Sequence, residues 1–258
     1  GTGRAAGAAE EVSRTTRVES RGAWSPDASS IALSSDRGGD MNLLIRDLAS
    51  GAERRLTRGA GGDYQANWSP DGRTIAFFSA RSGNADIWAV PAAGGEPVRL
   101  TDDPATETNP FHSPDGKLIA FMSDRRGRQE VWVMNTDGGG QRPVSDLRAG
   151  GHFIMWTRDS DEVVFVSETP SERQIVRLRI ADGAVSRMPA VESGGHMSWS
   201  PDRRAIMDVR GHRELCVHPV DGRPPYAIFD FGVRDVRLDY PVWSPDGRWV
   251  LFDRAEAT

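Results

Sequence analysis

A short signature recurs six times along this chain: Trp24-Ser25-Pro26-Asp27, Trp68-Ser69-Pro70-Asp71, His112-Ser113-Pro114-Asp115, Trp156-Thr157-Arg158-Asp159, Trp199-Ser200-Pro201-Asp202 and Trp243-Ser244-Pro245-Asp246. Successive copies are 44, 44, 44, 43 and 44 residues apart. A period of about 40–45 residues is the length of one propeller blade of four strands. Helical bundles and α/β sheets give a chain no reason to repeat one turn so regularly.

The second repeat shows how the period divides. Residues 64–68 lead into Ser-Pro-Asp-Gly, where proline presets φ and aspartate and glycine suit the following turn positions. Residues 74–78 are β-branched and aromatic, and end at a polar turn rich in serine and glycine. Residues 86–90 read as a third strand, Gly94-Gly95 as a turn, and residues 97–100 as a fourth strand. The same order is legible over 31–56, 118–144, 163–188 and, less cleanly, 205–231. In the sixth repeat only 240–243 and 248–252 read as strands.

Val12-Ser13 lies as far before Trp24 as Leu56-Thr57 lies before Trp68, so residues 10–13 are placed to pair into the last blade and protect its edge. The expected fold is therefore all-β: a six-bladed β-propeller of four-stranded antiparallel blades, its ring closed by an N-terminal strand and its last blade incomplete. Residues 1–9 are expected to be a flexible segment or linker, and 10–258 a single propeller domain. A chain of 258 residues buries enough surface to need no disulfide or structural metal.

Composition narrows the function. Lysine and arginine total 32 against 37 acidic residues, a formal charge of −5, which offers no general attraction for nucleic acid. The single cysteine, Cys216, forms no internal disulfide. No apolar run of about 18 residues suggests membrane insertion. The sequence contains no Gly-x-Ser-x-Gly elbow, phosphate loop, His-Glu-x-x-His or Cys-x-x-Cys.

These repeats resemble the TolB-like, WD-repeat-like branch of propellers, whose unit reads Trp-Ser-Pro-Asp-Gly, an apolar strand, Ser-Asp-Arg, an aromatic strand, Asp-Gly and Arg-Leu-Thr. Ser35-Asp36-Arg37, Ser123-Asp124-Arg125, Arg55-Leu56-Thr57 and Arg99-Leu100-Thr101 carry the likeness closely. The fourth repeat departs at Thr157-Arg158-Asp159-Ser160, and the fifth has Asp208-Val209-Arg210 in place of Ser-Asp-Arg. The resemblance implies a periplasmic or otherwise extracytoplasmic bacterial domain that binds a protein or peptide partner, such as a cell-envelope component, or the sensor domain of a larger bacterial protein.

An aspartate that recurs in every blade is explained by its turn, so Asp71, Asp115 and Asp246 are expected to bond their own backbone. The tryptophans are expected to wedge between blades, with His112 substituting for one of them. Function should sit where blades differ at an equivalent exposed place, the start of each innermost strand at one channel mouth. Three residues before each signature stand Arg21, Gln65, Asn109, Phe153, His196 and Tyr240, with His152 one step earlier and Asp63, Glu107 and Asp239 flanking.

The ligand-binding set is therefore Arg21, Gln65, Asn109, His152, His196, Tyr240, Asp63, Glu107 and Asp239. No catalytic residue, cofactor or resident metal is expected, and the domain is expected to be monomeric. The alternative is a metal-assisted lyase or hydrolase on acidic oligosaccharides, with His152, His196 and Gln65 as ligands and Arg21 on a substrate carboxylate. His212 and His218, near outer strands, belong to no visible constellation.

Overall fold

A computed structural model describes residues 12, 19–168, 173–188, 196–230, 232 and 236–256. Every described element is a β-strand, and every pairing is antiparallel. Blade 1 comprises β1 (Glu19–Trp24), β2 (Ser30–Gly38), β3 (Asp40–Asp47) and β4 (Glu53–Arg55). Blade 2 comprises β5 (Asp63–Trp68), β6 (Thr74–Ser79), β7 (Asp86–Pro91) and β8 (Val98–Arg99). Blade 3 comprises β9 (Glu107–His112), β10 (Leu118–Ser123), β11 (Glu130–Asn135) and β12 (Arg142–Pro143). In blade 4 the strands are β13 (Ala149–Trp156), β14 (Glu162–Glu168), β15 (Arg173–Arg179) and β16 (Val185–Arg187). Those of blade 5 are β17 (Met197–Trp199), β18 (Ala205–Arg210), β19 (Glu214–Pro219) and β20 (Tyr226–Asp230).

The last sheet pairs only β21 (Val236–Trp243) with β22 (Val250–Glu256). Five four-stranded blades thus stand where six were expected, because the described residues supply no outer pair of strands to β22. The closing strand expected at 10–13 lies outside the described residues except for Val12, as does the N-terminal segment 1–9.

The core lies between the sheets. Ala32, Leu43, Ile45 and Leu56 of blade 1 pack against Ala66, Ile75 and Phe77 of blade 2, and equivalent clusters fill the next seams. Leu56, Leu100, Val144 and Met188 each follow the fourth strand of one blade and lie in the cluster shared with the next. Val12, the equivalent residue one repeat earlier, packs with Ile31, Leu33 and Trp24 of blade 1 and Leu251 of β22.

Indole N–H groups fix the rotation between neighbouring sheets. Trp68 donates to the Ala23 carbonyl at 3.1 Å, and Trp156 to the Phe111 carbonyl at 2.8 Å. At 3.2 Å, Trp24 donates to the Val242 carbonyl, which docks the first blade on the last sheet by the bond used elsewhere. His112 takes the wedge position in blade 3 and faces the Asn67 side-chain oxygen at 3.1 Å. Its burial pushes the imidazole down to about 4, so it packs as a neutral ring.

The recurring aspartates act locally. Asp71 Oδ1 accepts from the Ser69 hydroxyl at 2.6 Å and from the Arg73 amide at 3.0 Å, and Asp115 and Asp246 repeat the pattern. Those bonds hold their carboxyls below the usual aspartate range. The threonine of Arg-Leu-Thr likewise bonds within its own blade, where the Thr57 and Thr101 hydroxyls accept from the Leu43 and Ile87 amides at 2.9 Å.

After the aspartate, the chain turns through left-handed backbone. Gly72, Gly116 and Gly247 hold φ of 71°, 71° and 72°, whereas Ala28 has 59° in the same position. A side chain there costs about 1–2 kcal/mol, while glycine adds back about 0.4–1 kcal/mol of unfolded-state entropy. Ala28→Gly is therefore expected to stabilise the fold by about 0.5–1 kcal/mol and raise the melting temperature by about 2 °C. A lower melting temperature would contradict the strain argument.

Candidate functional site

Five of the six described first strands kink near the residue that stands three before the signature, β17 being the exception. Pairing shifts register between Ser20 and Ala23, Tyr64 and Asn67, Thr108 and Phe111, Gly150 and Ile154, and Asp239 and Val242. At four of these bulges the same position adopts left-handed backbone without glycine: Arg21 at φ 54°, Gln65 at 55°, Asn109 at 55° and Tyr240 at 53°. Strain of order 1–2 kcal/mol at each is tolerated because the sheets on either side fix the backbone. Bulges re-aim side chains, and these four strands re-aim four chemically different ones.

Two arcs result. In the first, the Gln65 side-chain oxygen accepts from the Asn109 amide at 3.1 Å, joining blades 2 and 3. Asn109 is buried; its Nδ2 contacts Met122 Sδ at 3.1 Å, and its Oδ1 has no partner among the described residues.

The second arc joins blade 5, the last sheet and blade 1. Arg21 Nη2 donates to the Tyr240 hydroxyl at 2.8 Å, and its guanidinium carbon lies 4.5 Å from the centre of that ring. His196 also meets Tyr240, its ring tilted by 34° and its centre 4.0 Å from that of the tyrosine. Its Nδ1 lies 2.9 Å from Asp239 Oδ1. His212, in the β18–β19 turn, places Nδ1 3.3 Å from the same oxygen, and Arg237 Nε reaches Asp239 Oδ2 at 2.6 Å. Behind them, Asp253 Oδ2 accepts from the Arg21 amide at 3.0 Å. Burial, with a smaller push from Asp239, raises the Asp253 carboxyl to about 6.

Asp63 and Glu107 serve their own blades. Both are buried, and Arg81 Nη2 lies 2.7 Å from each Asp63 oxygen, while Arg125 Nε meets Glu107 Oε1 at 3.0 Å. Each arginine also stacks on core aromatics, Arg81 at 5.2 Å from Trp88 and Arg125 at 4.9 Å from Trp132. This explains the Ser-x-Arg turn: its arginine locks the start of the first strand to the end of the second. Glu107 is held above the usual glutamate range by burial.

The described side chains therefore bring Gln65 with Asn109, and Arg21 with His196, Asp239 and Tyr240. The side chains of His152 and Phe153 lie outside the described residues. Sequence reasoning missed His212, Arg237 and Asp253. His212 follows Gly211 where blades 1 and 3 carry Ser-Asp-Arg nearby, so the fifth repeat's departure was the available signal.

Of the alternative metal set, the His152 side chain lies outside the described residues, which leaves Gln65 and His196. The two residues bond within different arcs, and among the described residues no group of three or more histidine, cysteine or acidic side chains is arranged to hold a metal ion.

Sheets packed face to face, wedged by recurrent indoles and joined from first to last, define the chain as a β-propeller. The family model for the Tricorn protease N-terminal beta propeller domain matches residues 82–216, about half of the chain, and that for the TolB beta propeller domain matches residues 4–101. The chain belongs to the β-propeller family that the longer of these matches describes, that of the Tricorn protease N-terminal domain, and its first repeats match the TolB propeller model.

Among solved structures, a TolB-type protein of Agrobacterium tumefaciens is 23% identical, with a TM-score of 0.75 over 95% of this chain and 92% of its own. TolB from Acinetobacter baumannii is 22% identical at a TM-score of 0.69, over 85% of this chain and 56% of that longer one. Oligogalacturonate lyase from Vibrio parahaemolyticus is similar at 13% identity and a TM-score of 0.61, covering 93% and 88%. At such identities the likeness is one of fold. No curated protein matches the sequence.

Proposed function

We propose that this propeller is a non-catalytic recognition module that binds a protein or peptide at its central mouth. The observation that carries the reading is the set of equivalent, strained positions offering arginine, glutamine, asparagine and tyrosine. The turn aspartates, structural in role, keep one residue type in all six repeats, and these positions do not. Amides and aromatic rings at a rigid opening suit peptide backbone and side chains. Kinship with TolB proteins supports an extracytoplasmic setting and an envelope partner, and a place as the sensor part of a larger bacterial protein is compatible with the same site.

In this reading the last sheet is the sixth blade, completed on its outer side by the N-terminal segment. Val12 supports it, because it occupies the seam position that Leu56, Leu100, Val144 and Met188 occupy elsewhere.

The test compares the immobilised domain with an Arg21→Ala, Tyr240→Ala variant of matched melting behaviour, using envelope extract and then the purified partner. Loss of at least ten-fold in affinity for the partner is expected. A partner held equally by both forms would place the interface elsewhere.

A further inference from the structure

The second arc gathers basic and acidic side chains from three sheets. On the elements that meet there, Arg21 comes from β1, His196 from the start of β17, and Arg210, His212, Arg213 and Glu214 from the β18–β19 hairpin. The last sheet adds Arg237, Asp239, Asp253 and Arg254. Arg210 and Glu214 pair at 3.7 Å. Asp239 receives Arg237 and lies against both imidazoles. Among the described residues, no carboxylate forms a salt bridge with the Arg21 guanidinium, which is held in place by the Tyr240 ring and hydroxyl.

We propose that this arc is a carboxylate receptor for the free C-terminus of a bound peptide, and that acidification tightens it. The proposal rests on the reading of the mouth as a peptide site and adds the chemistry of the end that is held. Arginine matches a carboxylate with paired donors on a planar fork. A peptide is favoured over an acidic oligosaccharide because the opposite arc, Gln65 and Asn109, is neutral. Repeated uronates would call for repeated cations there.

The pH response follows from the inner groups. Asp253 lies against Arg21, its Oδ2 accepting from the Arg21 backbone amide at 3.0 Å. Burial raises its carboxyl to about 6, so it loses its negative charge as the pH falls through that range. A peptide carboxylate has a pKa of about 3.3–3.7 and stays ionised throughout. Lower pH therefore leaves the ligand charged while the site becomes more positive.

The experiment uses the full chain and trialanine, its C-terminal amide and galacturonic acid as probes, read by histidine ring resonances and by titration at pH 5.5 and 7.5. Trialanine is expected to bind at least ten-fold more tightly at pH 5.5, with the amide at least ten-fold weaker than the acid. Asp253→Asn is expected to flatten the pH response by at least three-fold, and Arg21→Gln to abolish discrimination against the amide. Equal binding of acid and amide, no binding of trialanine, affinity that does not rise at pH 5.5, or preference for galacturonic acid would each overturn the proposal. If trialanine fails while a partner protein still loses affinity in the Arg21→Ala, Tyr240→Ala variant, the mouth reading stands and the carboxylate inference alone falls.

Discussion

Replacing His218 with leucine is expected to destabilise the protein by about 3–5 kcal/mol and lower its melting temperature by about 10 °C. The reason lies in the fifth blade, where Asp208 occupies the core position held by Leu33, Phe77, Phe121, Phe165 and Phe252 in the others. Asp208 is fully buried; its Oδ1 meets His218 Nε2 at 3.0 Å, and its Oδ2 has no partner among the described residues. Removing the imidazole leaves a buried carboxylate alone. The double variant Asp208→Leu, His218→Leu is expected to return to within about 1 kcal/mol of the native protein, or above it, because a well-packed apolar pair can replace a buried ion pair. Urea unfolding of all three proteins checks both statements. A double variant no more stable than the single one would show that the pair is not the source of the loss.

Val12→Asp is expected to cost about 2–4 kcal/mol, since it sets a charge against Ile31, Leu33 and Leu251 where blade 1 meets the last sheet. Val98→Asp, at a valine 61% exposed on the outer strand of blade 2, is the control and should stay within about 0.5 kcal/mol of the parent. Thermal melts and limited proteolysis of the last sheet measure the difference. If the two variants behave alike, Val12 does not brace the seam and closure by the N-terminal segment loses its support.

The propeller was legible because its determinants are local and recur. Ser69, Asp71 and the turn between them make bonds that recur in five of the six signatures, Thr157 bonding Asp161 in the other, so a linear pattern reports them directly. The bulged positions were legible in part. Counting back three residues from the start of each signature finds Arg21, Gln65, Asn109 and Tyr240, yet the pattern does not show which flanking acids are held within their own blade. Asp63 and Glu107 are claimed by Arg81 and Arg125, eighteen residues downstream, across a hairpin. His212 reaches Asp239 from a different blade, and the Leu238 amide donates to its carbonyl at 2.6 Å. Contacts between repeats depend on three-dimensional neighbours that no single period records. The outer half of the last blade escaped the pattern for another reason, since the repeat supplies only two strands there.

The left-handed backbone at the mouth also restricts the vocabulary of side chains the ring can display. Valine, isoleucine and threonine, branched next to the main chain, fit such a conformation poorly, whereas asparagine, glycine and unbranched chains fit it better. Divergence at Arg21, Gln65, Asn109 and Tyr240 is thereby steered toward residues that reach outward and carry hydrogen-bonding or aromatic tips. What these strands can present is drawn from an alphabet that the main chain has already edited.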